Sequence, residues 1–306
     1  MTSRCHNYTL NGTFPIRQLA LPNVIILLLL GYCEYHVKVD DMMTFRQHSR
    51  KEIVLVTGAS SGIGRAAAVL LSEGDYQVIL VARRSDKLNK IINEIGESSI
   101  SIPCDCSKPQ EIKTLCQTIL EDIGVPDIII HCAGAGIWRE IEETSPEQLK
   151  SMMAVPFESA FNINAFFIPE MIKKKSGLLI HINSPVCYFP WAGATGYASA
   201  RWALRGMHEA LNQDLEKLGV RSCQIIFGEV TSEYFKSNPN SHHKIPKISA
   251  FIPIQTPEKC AKVIKKVIKK PRQNTFHPLI LRVFLIAHQF LPIFTEMLIR
   301  LTQRKR

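Results

Sequence analysis

No uninterrupted apolar run in this chain of 306 residues reaches the roughly 20 that span a bilayer comfortably. The nearest approach, residues 19–33, carries Pro22 and Asn23 and is not followed by a convincing small-x-small cleavage site, so it reads as an uncleaved or interfacial anchor rather than a removed signal. Paired metal-ligand spacings are also missing. Cys104 and Cys106 flank Asp105, but no second Cys or His pair completes a site, and the nine cysteines read as reduced, packed thiols. Internal repeats and low-complexity segments are absent. Acidic residues are in deficit, 27 against 37 Lys and Arg, for a net charge of +10. That excess alone suits nucleic acid, but no recognition motif or interleaved aromatic pattern accompanies it, and nucleic-acid binding is set aside.

The chain does contain a regular alternation. Apolar runs at Ile53–Val56, Val78–Ala82, Ile100–Cys104, Asp127–His131, Leu178–Ile182 and Ser222–Phe227 are separated by stretches of helical period. Continuous apolar strands between helices predict a parallel sheet covered on both faces. The expected organisation is an N-terminal extension over 1–51, a domain over 52–275, and an apolar and basic segment over 276–306. In that last segment Pro292, Arg282, His288, Glu296 and Arg300 interrupt the apolar residues, which predicts an amphipathic segment at a membrane interface, a dimer face or a lid over a pocket.

Two constellations carry chemistry. The first follows the first strand: Thr57-Gly58-Ala59-Ser60-Ser61-Gly62-Ile63-Gly64, then a helix beginning with Arg65. Glycines between strand and helix allow a sharp turn and close approach of a pyrophosphate, and the helix start offers free N–H groups. The second strand ends without the acid that would bind ribose hydroxyls. It runs into Arg83 and Arg84, and Arg83 with Arg65 predicts a 2′-phosphate and hence NADP(H) over NAD(H), Arg84 reading as solvated. The second constellation is Ser184, Tyr197 thirteen positions later, and Arg201 one helical turn after that. A phenol with an ordinary pKa of about 10 needs a nearby cation to exchange protons near neutral pH, and Arg201 supplies one.

Together these motifs resemble the short-chain dehydrogenase/reductase family over about residues 52–275. The resemblance implies an α/β fold, a doubly wound parallel sheet of Rossmann type in a single domain with hydrophobic extensions at both ends. It implies that Ser184 holds a substrate oxygen, Tyr197 is the general acid or base, and Arg201 stands where the family has Lys. Asp105 matches the adenine-contacting position. Ala133 and Gly134 remain of the family's Asn-Asn-Ala-Gly, with His131 and Cys132 replacing the asparagines. Gly228, Val230 and Ser232 match the segment that holds the nicotinamide amide, and Pro156 falls where the family's fourth active residue, Asn, is expected. The apolar ends resemble the membrane-associated hydroxysteroid and retinol dehydrogenase branch, which implies a membrane placement at the endoplasmic reticulum with the catalytic domain facing the cytosol.

The expected activity is interconversion of an alcohol and a carbonyl on a lipid-, steroid- or retinoid-like substrate. The apolar content of residues 232–254 (Tyr234, Phe235, Ile245, Ile248, Phe251, Ile252) favours that class over sugars. The alternative is a catalytically impaired NADP(H)-binding protein acting as a redox sensor or scaffold. The family resemblance also allows a homodimer.

Overall fold

The computed structural model describes residues 50–303, apart from 97, 135, 235–237, 239 and 240. The apolar stretch 19–33 and Phe235 lie outside the described residues.

Seven strands form one parallel sheet: β1 (Glu52–Thr57), β2 (Tyr76–Ala82), β3 (Ile100–Pro103), β4 (Ile128–His131), β5 (Gly177–Asn183), β6 (Val220–Phe227) and β7 (Asn274–His277), in the order β3-β2-β1-β4-β5-β6-β7. Six coincide with the apolar runs. The seventh was not foreseen: Asn-Thr-Phe-His is short and only half-buried, and it pairs with β6 alone at the sheet edge. The chain winds outward from β1 to β3, then returns to β4 beside β1. That reversal opens a crevice beyond the carboxyl ends of β1 and β4.

Side chains alternate across each strand and feed two cores. Val54, Val56, Val78, Leu80, Ile128 and Ile130 pack under α1 (Gly62–Ser72), α2 (Ser85–Ile95) and α7 (Pro257–Lys269). Ile53, Leu55, Ile79, Val81, Ile129 and Leu179 pack under α3 (Pro109–Asp122) and α5 (Ser159–Lys174). Helix α7 shows the sequence logic plainly. Thr256 caps it by accepting from the Lys259 N–H at 3.3 Å, Pro257 occupies the first turn, and Cys260, Ile264 and Val267 turn inward. Phe167 on α5 is fully buried in the second core. Its replacement by Ala is expected to cost about 3–5 kcal/mol in a urea titration, because a rigid sheet cannot collapse into the void.

Helix α4 (Pro146–Met153) begins with a capping box between Ser145 and Gln148. It runs into a π turn, Ala154–Glu158, that leads to α5. Pro156 sits buried inside that turn. Having no N–H, it cannot extend an i→i−4 ladder, and the chain widens to i→i+5 bonding instead. At Pro156 the helical path therefore takes the form of a π turn.

Helix α6 (Thr195–Asp214) packs against β5 and β6. After β7 come α8 (Ile280–Phe290) and α9 (Pro292–Thr302), joined by a 2.7 Å hydrogen bond between His288 Nδ1 and Thr295 Oγ1. Leu281 of α8 is buried with Tyr188, Phe189 and Ile226. The Gln303 side chain pairs with both backbone groups of Ala192, at 2.9 and 3.2 Å. Val283, Phe290, Ile293 and Phe294 face outward. No helix among the described residues is long and apolar enough to cross a membrane.

Candidate active site

The crevice holds a cleft of about 700 Å³, and almost every predicted site residue lines it. From the turn after β1 come Gly58, Ser60, Ser61, Gly62, Ile63 and Gly64. Gly58 and Gly62 take φ of +68° and +55°, in the left-handed region open to glycine. A Cβ on Gly64 would lie 2.4 Å from the Gly58 carbonyl oxygen, so the helix could not seat so close to the turn with any other residue. Ser61 precedes α1 without a side-chain cap, which leaves the first N–H groups of the helix facing the cleft.

The arginines divide differently from expectation. Arg65 turns away, paired with Glu94 of α2 at 2.5 Å, and does not line the cleft. Arg84, expected to be solvated, lines it and donates to Ser60 Oγ at 3.1 Å. Arg83 lines it as well and acts electrostatically on Asp105. Burial alone would raise the Asp105 carboxyl. The Ser107 N–H and hydroxyl, at 3.0 and 2.8 Å, together with Arg83 and Lys108, outweigh that and hold it below the usual carboxylate range. Cys104 and Cys106, on either side of Asp105, are free and buried.

Beyond β4, the Ala133 N–H donates to Thr57 Oγ1 at 3.2 Å, and Ala133 and Gly134 line the cleft. His131, which replaces the first family Asn, faces inward. It hydrogen-bonds Asn164 Oδ1 at 2.8 Å and stacks on His181 of β5 with ring centroids 5.0 Å apart and planes 6° from parallel. Burial pushes the His131 ring down to about 4 and His181 well below its ordinary value. Two neutral imidazoles therefore fill the space beneath the cleft.

The second constellation is assembled by β5 and α6. Ser184 follows β5 and opens a short 3₁₀ turn, Pro185–Cys187, its hydroxyl accepting from the Val186 N–H at 3.5 Å. Trp202 and Arg205 on α6 brace that turn by donating to the Val186 and Cys187 carbonyls, at 2.9 and 3.0 Å. Asn183 was not anticipated. Its amide donates to the Arg201 carbonyl at 3.1 Å and to Gln224 Oε1 at 2.6 Å, while its oxygen accepts from Ser184 N–H at 2.8 Å. One side chain thus fixes β5, β6, α6 and Ser184 relative to one another. Its position beside Ser184 was the only sequence signal.

Tyr197 and Arg201 share one face of α6. The guanidinium carbon lies 5.1 Å from the Tyr197 ring centroid, and Nη1 donates to the Ile182 carbonyl at 3.0 Å. Arg201 is only 8% exposed, and its Nε has no hydrogen-bond partner. Arg201 lines the cleft, and a buried cation with a donor still unpaired fits a bound group rich in hydroxyls or phosphate. Around Tyr197 close Trp138 and Trp191 from two loops, Met152 of α4, and Tyr234 from the segment after β6. Gly228, Val230 and Ser232 line the same wall. Leu281, Phe284 and Ile299 of α8 and α9 complete an apolar end with Ile245 and Ile252. The terminal helices therefore form part of the pocket wall.

Residues 52–242 match the short chain dehydrogenase family. An uncharacterized oxidoreductase of Staphylococcus saprophyticus is 29% identical over 236 residues, covering 76% of this chain and 96% of the relative. An alcohol dehydrogenase from the archaeon Thermococcus sibiricus, solved with 5-hydroxy-NADP, is 25% identical with a TM-score of 0.64, covering 74% of this chain and 96% of its own. A short-chain dehydrogenase from Sphingobium yanoikuyae in complex with NADPH, 18% identical with a TM-score of 0.68, covers 80% of this chain and 96% of its own and shares the fold. The chain belongs to the short-chain dehydrogenase family and is an oxidoreductase of that type. The expectation of a place at the endoplasmic reticulum membrane is corrected by the same comparison: the oxidoreductases of Staphylococcus saprophyticus and Staphylococcus aureus that the chain resembles come from cells without that organelle.

Proposed function

We propose that this chain interconverts an alcohol and a carbonyl on a hydrophobic, lipid- or steroid-like substrate with NADP(H). The observation that carries the reading is the meeting of Ser184, Tyr197 and Arg201 in one cleft, between the glycine turn and an apolar wall. The glycine turn and Asp105 would hold the dinucleotide, Arg83 and Arg84 its 2′-phosphate, and Arg201 the nicotinamide ribose. NADPH, when bound, supplies the hydride for the carbonyl carbon. Tyr197 gives its hydroxyl proton to the carbonyl oxygen, completing the alcohol, and Ser184 donates a hydrogen bond to that oxygen beforehand. The Arg201 guanidinium, its carbon 5.1 Å from the Tyr197 ring centroid, is the cation beside the residue that gives up this proton. Arginine does not release its own proton, so Tyr197 is recharged by another route.

Two measurements bear on this. Replacing Arg83 and Arg84 together by Ala is expected to weaken NADPH binding about tenfold or more, while NADH binding stays nearly unchanged, since only one cofactor offers the charged partner. Oxidation of NADPH is then followed with a panel of long-chain aldehydes and polycyclic ketones. Turnover is expected. Tight NADPH binding with no turnover across the panel would favour the sensor or scaffold reading instead.

A further inference from the structure

We propose that Phe284 of α8 and Ile299 of α9 set the length of substrate that the cleft accepts, acting as the stop at its apolar end. The inference rests on the reading of Ser184 and Tyr197 given above and deepens it, from an apolar substrate to one selected by length. The cleft is lined by two separate groups of packed apolar side chains. One surrounds Tyr197, with Trp138, Met152 and Trp191. The other gathers Phe284 and Ile299 with Leu281, Phe189 and Ile252. A carbonyl held at Ser184 and Tyr197 leaves the rest of its molecule to run along the cleft toward this second group. Helices α8 and α9 lie beyond residues 52–242, the stretch that matches the family, so Phe284 and Ile299 are not part of the shared pattern.

The helix pair is built as a fixed wall. A Cβ on Gly228 would lie 3.2 Å from Ile252 Cγ2 and 3.7 Å from Leu281 Cδ1, which brings both side chains against the glycine that follows β6. The His288 ring meets Phe189 edge-on, with centroids 5.1 Å apart and planes at 78°, while its Nδ1 is bonded to Thr295 Oγ1 at 2.7 Å. Gln303, just past α9, holds both backbone groups of Ala192. Phe189 and Ala192 both belong to the segment between Ser184 and Tyr197. The wall is therefore tied to the stretch of chain that carries the reacting groups, and it resists being pushed aside. It is also one helix thick: Phe284 lines the cleft, while its neighbour Val283 is 59% exposed. A shortened inner side chain leaves a space that no deeper core is there to refill.

The test varies substrate length in both directions. The full chain with saturating NADPH is offered straight-chain aldehydes of increasing length. For the unaltered protein kcat/KM is expected to rise about fourfold for each methylene taken out of water, then to fall once the aldehyde meets Phe284 and Ile299. In Phe284→Ala and in Ile299→Ala the fall is expected at a longer aldehyde, and in Ile299→Phe at a shorter one. Val283→Ala, on the outward side of α8, should keep the unaltered profile. Straight-chain primary amides keep the carbonyl but resist hydride. They are titrated against the NADP⁺ complex by the fluorescence of Trp138 and Trp191, which line the cleft, and their dissociation constants should break at the same lengths. A break that stays in place in all three inward variants overturns the proposal, as does an equal shift in Val283→Ala or an absence of amide binding at every length. Aldehydes that are never reduced, while the amide break still moves with Phe284 and Ile299, overturn the catalytic reading alone and uphold the stop.

Discussion

Replacing Tyr197 by Phe is expected to lower kcat for NADPH-dependent carbonyl reduction by about 10²- to 10⁴-fold, the usual contribution of a positioned general acid. NADPH affinity should change little. Tyr197 is 6% exposed and packed among Trp138, Met152 and Val186, so Phe keeps the ring contacts and loses only the hydroxyl. The guanidinium of Arg201 retains its bond to the Ile182 carbonyl, which does not involve Tyr197. Steady-state kinetics paired with a fluorescence titration of NADPH separates the two effects. A fall in kcat with an unchanged dissociation constant is the expected pattern. Undiminished turnover would remove Tyr197 from the chemistry.

The second large effect concerns the turn after β1. Gly58→Ala is expected to destabilise the fold by about 2–5 kcal/mol, from the left-handed backbone and the clash together. At Gly58 φ is +68°, and a Cβ would meet Ala133 N at 2.7 Å, Ala133 Cα at 2.8 Å and Cys132 C at 2.8 Å. These are backbone atoms leaving β4 and cannot swing aside as a flexible side chain would. The same collision pushes apart the two strand ends that frame the crevice, so NADPH binding should fall with stability. Gly96 provides the control. Its φ is +85°, but a Cβ there meets nothing within 4 Å, so Gly96→Ala should cost only the backbone term of about 1–2 kcal/mol. Urea midpoints of the two variants compare the cases directly. Equal losses would mean that the contact with Ala133 carries no weight.

Much of this arrangement was legible before the structure, and the misses have physical causes. The six apolar strands could be read because buried parallel strands need apolar residues on both faces. The edge strand β7 does not, and Asn274-Thr275-Phe276-His277 carries no such pattern. Arg65 follows the glycines closely in sequence, but its place on α1 turns it toward Glu94 across the α1–α2 surface, a partner 29 positions away. Arg84, one residue beyond the more obvious Arg83, reaches Ser60 instead. In the terminal segment apolar residues occupy both sides of α8 and α9, so periodicity could not say that Leu281 and Phe284 face the cleft while Val283 and Phe290 face outward. Tyr234 was recognised as part of an apolar loop, yet its link to Trp138 spans 96 positions and leaves no local trace.

The central claim is that the glycine turn, Arg83, Arg84 and Arg201 together form an NADP(H) site. It is tested most directly by titrating the full chain with NADPH and with NADH and following the quenching of tryptophan fluorescence, since Trp138 and Trp191 line the cleft. The account predicts saturable NADPH binding, at least about tenfold tighter than NADH, as one charged 2′-phosphate contact implies. Equal affinity for the two cofactors would contradict the roles of Arg83 and Arg84, and no binding of either would contradict the account as a whole.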